Sequence, residues 1–164
     1  MYELGKEGKY KTGTNRFARQ WEVLPAGSPN PGTIHHYGAE MFTQEFSGYK
    51  WEPFYSMVGG GIPVDEVPVA LQRRADKYQV MRTHIEVTKP GKHKMRLQGN
   101  LSQMSLFLGS EEIDFPPNGD GTDLFVNCKK VGKQEILLVL KGAGSKNQFS
   151  LEALSEDMNM IKTF

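Results

Sequence analysis

The chain has 164 residues, with 20 Lys plus Arg against 19 Asp plus Glu and a net charge of +1. That length suits one domain with a real core and no disulfide staples, and the single cysteine, Cys128, excludes an intramolecular disulfide framework. The balanced charge argues against nucleic acid as a partner, because duplex binders carry a clear basic excess.

Gly (18 residues) and Pro (9 residues) supply enough turn chemistry to favour many short elements over a few long helices. The opening stretch, MYELGKEGKYKTG, has no apolar h-region, so it does not read as a secretory signal. No apolar run approaches the ~20 residues of a membrane helix. The expectation is a chain that is cytoplasmic or peripheral to a membrane complex, with no transmembrane segment.

Residues 1–66 read as an extended or irregular N-terminal arm with short strands. The breakers PAGSPNPG (25–32) and MVGGGIP (57–63) frame it. Between them lie Tyr37, Phe42, Phe46, Tyr49, Trp51, Phe54 and Tyr55. This is too aromatic for a disordered tail. Such side chains either fold back to complete a core or anchor a partner, where Tyr and Trp are enriched at hot spots. In the second case Tyr49, Trp51, Phe54 and Tyr55 are the contact residues. His35-His36 is a metal-like pair, but adjacent residues on an extended chain point to opposite sides.

Residues 67–164 read as an antiparallel β-sandwich. At its start Leu71, Arg74, Ala75 and Tyr78 recur at helical spacing, which predicts one short helix over Ala70–Lys77. VMRTHIEV then alternates, with Met81, Thr83, Ile85 and Val87 on one face. HKMRLQG turns Met95 and Leu97 inward. QMSLFLG does the same with Met104, Leu106 and Leu108, and EEIDF adds Ile113 and Phe115. DLFVNC, EILLVLK and FSLEAL follow, and the run ILLVL (136–140) suits a buried strand. About seven strands at near-regular spacing are the mark of an all-β sandwich or jelly roll.

The turns share a phrase. K-x-G-K occurs in KEGKYK (6–11), KPGK (89–92) and KVGK (130–133). Gly supplies positive φ and Pro90 pre-sets the residue before it, so backbone geometry alone accounts for the motif. The functional reading gathers these turns at one end of the sandwich as a basic rim. Lys89, Lys92, Lys130 and Lys133 lead it, with Lys94, Arg96 and Lys129 beside them. Such a rim suits an acidic protein surface or anionic headgroups.

Motifs for chemistry are sparse. Asn118, Asp120 and Asp123 place oxygen ligands in NGDGTD as a weak calcium candidate, against a plain Asn-Gly/Asp-Gly turn. His84 and His93 flank the KPGK turn and are within reach of one another if it closes a hairpin, but zinc needs three or four ligands. His93, between Lys92 and Lys94, reads as a solvated strand residue. Cys128, ending an apolar run, reads as a small buried residue. No G-x-S-x-G, Walker, H-E-x-x-H or C-x-x-C motif occurs. The expectation is therefore no enzyme, no cofactor and no firm metal site.

Three segments, Gly91–Leu97, Ser105–Ile113 and Val131–Leu138, together resemble jelly rolls of the PA14 and carbohydrate-binding-module type. The resemblance covers about residues 80–154 and implies the fold, with sugar binding as the associated function. The acidic Asp-Asp pair of PA14 domains is absent, and Asn100-Leu101-Ser102-Gln103 stands in its place. The leading expectation is a non-catalytic structural or accessory subunit. It would dock on other protein subunits of a larger assembly, including an extrinsic contact to a membrane complex, through its arm and basic rim. The alternative is a carbohydrate-binding module.

Overall fold

Alternating apolar residues need two sheets to bury them, and the computed structural model shows two antiparallel sheets packed face to face. It describes residues 17–26, 50–57, 59–73, 76–109, 111–141 and 148–161. Among these, the first strands are β1 (Gln20–Val23), β2 (Glu52–Tyr55), β3 (Ile62–Pro63), β4 (Leu71–Arg73), β5 (Asp76–Val87) and β6 (Gly91–Gln98). They are followed by β7 (Met104–Leu108), β8 (Glu111–Ile113), β9 (Gly121–Cys128), β10 (Gly132–Lys141), β11 (Gln148–Ala153) and β12 (Met158–Met160). The described residues contain two 3-10 turns, Val64–Glu66 and Leu101–Gln103, and no α-helix.

The smaller sheet runs β9-β6-β11-β3 and the larger β2-β1-β5-β10-β7-β8. β5 organises the larger sheet. Along one side it takes β4 at Asp76–Tyr78, β1 at Met81–Arg82 and β12 at Ile85–Val87. Its other side pairs with β10 over ten residues, from Tyr78↔Lys141 to Val87↔Gly132.

The core lies between the sheets. Trp21, Met81, Ile85, Leu106 and Leu138 of the larger sheet meet Met95, Leu97, Leu124, Val126 and Leu151 of the smaller, all buried. The Trp21 and Phe149 rings cross edge to face at 5.9 Å and join the two layers. The alternation read from VMRTHIEV holds: Met81, Thr83, Ile85 and Val87 are all buried. Residues on both sides of Val67 share this core, since Trp21, Ile62 and Val64 belong to it.

The run ILLVL is apolar throughout because its strand is covered on both faces. Ile136, Leu138 and Leu140 point into the main core. Leu137 and Val139 point outward to a second cluster with Leu24, Ala70, Val80 and Phe107, against which Trp51 and Tyr78 pack.

The helix expected over Ala70–Lys77 does not form. Leu71–Arg73 instead pairs with Asp76–Tyr78 as a short antiparallel ladder. The first residues of β5 would otherwise leave backbone groups without partners on that side, and sheet pairing overrides the local helical spacing.

One buried polar side chain fastens the entry to this region. Gln79 Nε2 donates to the carbonyls of Val64 (2.7 Å) and Val67 (2.8 Å), holding the 3-10 turn over β5. Gln79→Leu removes both bonds; the Val64 carbonyl keeps the Val67 N–H (3.2 Å), but the Val67 carbonyl loses its side-chain donor, at about 1–3 kcal/mol. Urea unfolding should show a loss on the order of 1–3 kcal/mol for the variant. A loss under about 1 kcal/mol would show that the turn holds without the clamp.

Candidate functional site

Both described K-x-G-K turns cross from one sheet to the other. KPGK joins β5 of the larger sheet to β6 of the smaller, and KVGK joins β9 of the smaller to β10 of the larger. Register sets them side by side, since Val87 pairs with Gly132 and Gly91 with Cys128. Gly91 and Gly132 adopt φ of 128° and 105°, a region closed to most side chains.

Other connections close the same end. Gly109, in the turn from β7 to β8, donates its N–H to the Glu135 carbonyl (3.2 Å). The β11–β12 loop reaches the first turn through Thr88, whose N–H and hydroxyl both donate to the Asp157 carbonyl (2.8 and 3.1 Å). His93 locks this contact from inside. Its Nε2 lies 2.6 Å from the Lys89 carbonyl and its Nδ1 2.7 Å from Ser155 Oγ. A carbonyl only accepts, so Nε2 donates to it, and in the neutral ring Nδ1 accepts from the serine. Ser155 Oγ in turn accepts the Asp157 N–H (3.2 Å).

His93 is therefore buried (4 % exposed), not a solvated strand residue. Nor does it approach His84. The KPGK turn is an arch between sheets, not a hairpin, so His84 lies on the outer face of the larger sheet while His93 faces the interior. Cys128 is wholly buried, and burial pushes its thiol up, away from the reactive thiolate.

At this end a cleft of about 520 Å3 opens, within the range of small-ligand sites. The β7–β8 turn lines one side with Leu108, Gly109 and Glu111. Asn127, Lys129 and Lys130 line the other, and Lys133, Gln134 and Glu135 at the start of β10 form the floor. Gln134 Nε2 donates to the Lys130 carbonyl (2.7 Å), which fixes the second turn against its strand. Lys129 Nζ lies 3.8 Å from Glu111.

Behind the cleft, on the outer face of the larger sheet, Arg82 ties three groups together. Its Nε donates to Glu22 at 2.8 Å, its Nη1 lies 3.5 Å from Glu135, and its guanidinium sits 4.2 Å above the Trp51 ring. Burial pushes the Glu135 carboxyl above the usual range, with Glu22 adding to the rise and Arg82 opposing it. Burial also lowers His84, helped by Lys133 and Arg82 and opposed by Glu22.

Of the residues singled out in the sequence, the structure brings Lys130 and Lys133 into the cleft and sets Lys89 and Lys92, both exposed, on the neighbouring turn. Lys94 and Arg96 lie farther along β6, where both reach Asp123 (3.4 and 2.8 Å). Trp51 is stacked on Arg82 and half-buried, and Phe54 packs against the main core. Tyr55 is 65 % exposed. Tyr49, His35, His36 and the KEGKYK turn lie outside the described residues. Asn118 and Asp120 are exposed at the opposite end of the sandwich. Asp123 is engaged by Arg96, which holds its carboxyl below the usual range. Among the described residues no group of three or more His, Cys, Asp or Glu is placed to hold a metal ion. None of their helices is long and apolar enough to cross a membrane. Sequence reasoning missed the cleft residues Asn127, Gln134 and Glu135, whose only signal was their place beside the KVGK turn.

No protein-family model and no curated protein matches the chain. Solved structures align with the chain at low identity. A β-glucuronidase from Ruminococcus gnavus in complex with D-glucaro 1,5-lactone aligns at TM-score 0.49 and 9% identity, over 95% of this chain and 31% of that one. A β-glucosidase from Kluyveromyces marxianus in complex with glucose aligns at 0.47 and 7%, over 83% and 16%. A PA14 sugar-binding domain from an RTX adhesin aligns at 0.36 and 11%, over 52% and 51%. The chain thus spans between about a sixth and a half of these structures. The resemblance to PA14 and carbohydrate-binding-module sandwiches is one of fold.

A raised carboxyl contributes stability that is full below the ordinary Glu range and is lost as pH rises through the folded-state value. Glu135 is such a group, and Glu135→Gln, which mimics its neutral form, escapes that loss. Unfolding free energies of parent and variant should coincide in acid, and the variant should gain steadily as pH rises. A parent that is the more stable at neutral pH would show that the Arg82 pair outweighs burial.

Proposed function

We propose that the chain is a non-catalytic binding module that takes carbohydrate in the cleft between its β7–β8 and β9–β10 turns. One observation carries this reading: the cleft offers donors and acceptors together. The Asn127 and Gln134 amides do both, Glu111 and Glu135 accept, and Lys129, Lys130 and Lys133 donate. A sugar hydroxyl also donates and accepts, so a lining of mixed character can pair it in full, which an apolar pocket cannot. Each carboxylate faces a cation, Glu111 with Lys129 and Glu135 with Arg82. That arrangement suits recognition better than proton transfer.

Calorimetry of the chain against a panel of neutral and acidic oligosaccharides tests it. At least one should bind, emerge chemically intact, and lose about tenfold in affinity with Asn127→Ala, the worth of one hydrogen bond. Failure of the whole panel, or recovery of cleaved sugar, would overturn the reading.

A second reading, docking on a larger protein assembly, has its own observation. Among the described residues β2 is an edge strand, and it presents Tyr55 (65 % exposed), with Met57 (45 % exposed) just beyond it. Pro53 breaks the run of backbone donors there, so a partner would meet side chains more than an open ladder. On this reading the chain purified gently from its source travels in a larger particle, and Tyr55→Ser releases it. A monomer at that step counts against docking.

A further inference from the structure

We infer that the cleft selects saccharides bearing an anionic substituent, and that the ammonium groups of Lys130 and Lys133 hold that substituent. The inference rests on the reading of the cleft as a carbohydrate site and names the class of sugar it takes.

The argument is one of charge already in place. Three lysines and two glutamates line the cleft. Glu111 is held by Lys129 at 3.8 Å, and Glu135 by Arg82 at 3.5 Å. Arg82 is itself balanced by Glu22 at 2.8 Å. Each cleft carboxylate therefore has a cation within 4 Å other than Lys130 and Lys133, but Arg82 serves Glu22 as well, so Arg82, Lys129, Lys130 and Lys133 against Glu22, Glu111 and Glu135 leave the site a net charge of +1. Neither Lys130 nor Lys133 has an ion-pair partner among the described residues, and both are exposed. They sit at the two ends of the KVGK turn, three positions apart. The bond from Gln134 to the Lys130 carbonyl holds that turn in shape, and Gly132 gives it a backbone other residues rarely adopt. Two ammonium groups on a fixed turn, beside a polar cleft, present a ready seat for a carboxylate or sulfate group. Lys133 also acts on the field behind the cleft, since it is one cause of the lowered His84 value.

The neighbouring turn supplies the control. Lys89 and Lys92 carry the same charges on the same end of the sandwich but do not line the cleft. A diffuse basic surface would use both turns alike. A seat in the cleft would use one.

The test is calorimetry of the chain with three probes: oligogalacturonate, a sulfated galactan oligomer and the neutral galactan oligomer. The expected result is that one or both anionic probes bind about tenfold more tightly than the neutral one, the yield of two exposed ion pairs. That advantage should shrink as salt rises. Lys130→Gln with Lys133→Gln should abolish the advantage, and an unchanged circular dichroism spectrum and melting temperature show that the variant is folded. Lys89→Gln with Lys92→Gln should leave the advantage intact. The two anionic arms tell carboxylate from sulfate. Equal affinity for neutral and anionic probes would overturn the inference and leave the carbohydrate reading standing. An equal loss from both lysine pairs would overturn it too, in favour of a diffuse basic surface. No binding by any probe would remove the inference together with the reading beneath it.

Discussion

The pairing of β5 with β10 is the constraint from which the rest of the molecule follows. Ten residue pairs run from Tyr78↔Lys141 to Val87↔Gly132. They commit alternate residues of both strands to opposite faces, because a shift of one residue would exchange core and surface throughout. Ile85 and Leu138 then meet Met95 and Leu97 across the sandwich, while Val80 and Leu137 face outward. The same register decides what lies at the ends. Since Val87 stands beside Gly132, the chain must leave β5 and enter β10 at one place. Both K-x-G-K turns are thereby set next to each other as arches between the sheets.

That placement makes the cleft. A sandwich end is where strands stop and loops begin, so side chains of several elements converge there without filling the core. Here the loops are short and pinned. Gln134 holds the second turn, Gly109 is bonded to Glu135, and His93 bridges Lys89 to Ser155 from beneath. The end is polar yet ordered. Among the described residues no aromatic side chain lines the cleft: Trp51 is stacked on Arg82, and Phe54 on the core. Recognition at this site would therefore rest on hydrogen bonds and charge, not on stacking.

The strands were legible in the sequence because one physical rule, period-two burial, governs them. VMRTHIEV, HKMRLQG and ILLVL all behave as their patterns predict. The short helix over Ala70–Lys77 was misread because its spacing suits either period, and the deciding fact, an open side on β5, is tertiary. His93 and His84 were misplaced for a related reason. KPGK has the chemistry of a hairpin turn, and nothing local says whether the next strand returns to the same sheet or crosses to the other. The cleft was half visible. Lys130 and Lys133 stood out by motif, but Asn127, Gln134 and Glu135 have no motif and acquire a role only when three connections meet. Trp51 and Phe54 drew notice as aromatics, and the fold itself uses both.

The central claim is that the lysine-turn end, not the exposed edge by Tyr55 or the outer face by Trp51, is where this molecule meets its ligand. An amide NMR titration with an acidic oligosaccharide tests that most directly. The account predicts dose-dependent shifts concentrated at Gly109, Asn127, Lys130, Gln134 and Glu135, with Asp120 and Tyr55 unmoved. Shifts centred on Tyr55 and Met57, or on the loop around Asp120, with the cleft silent, would contradict it.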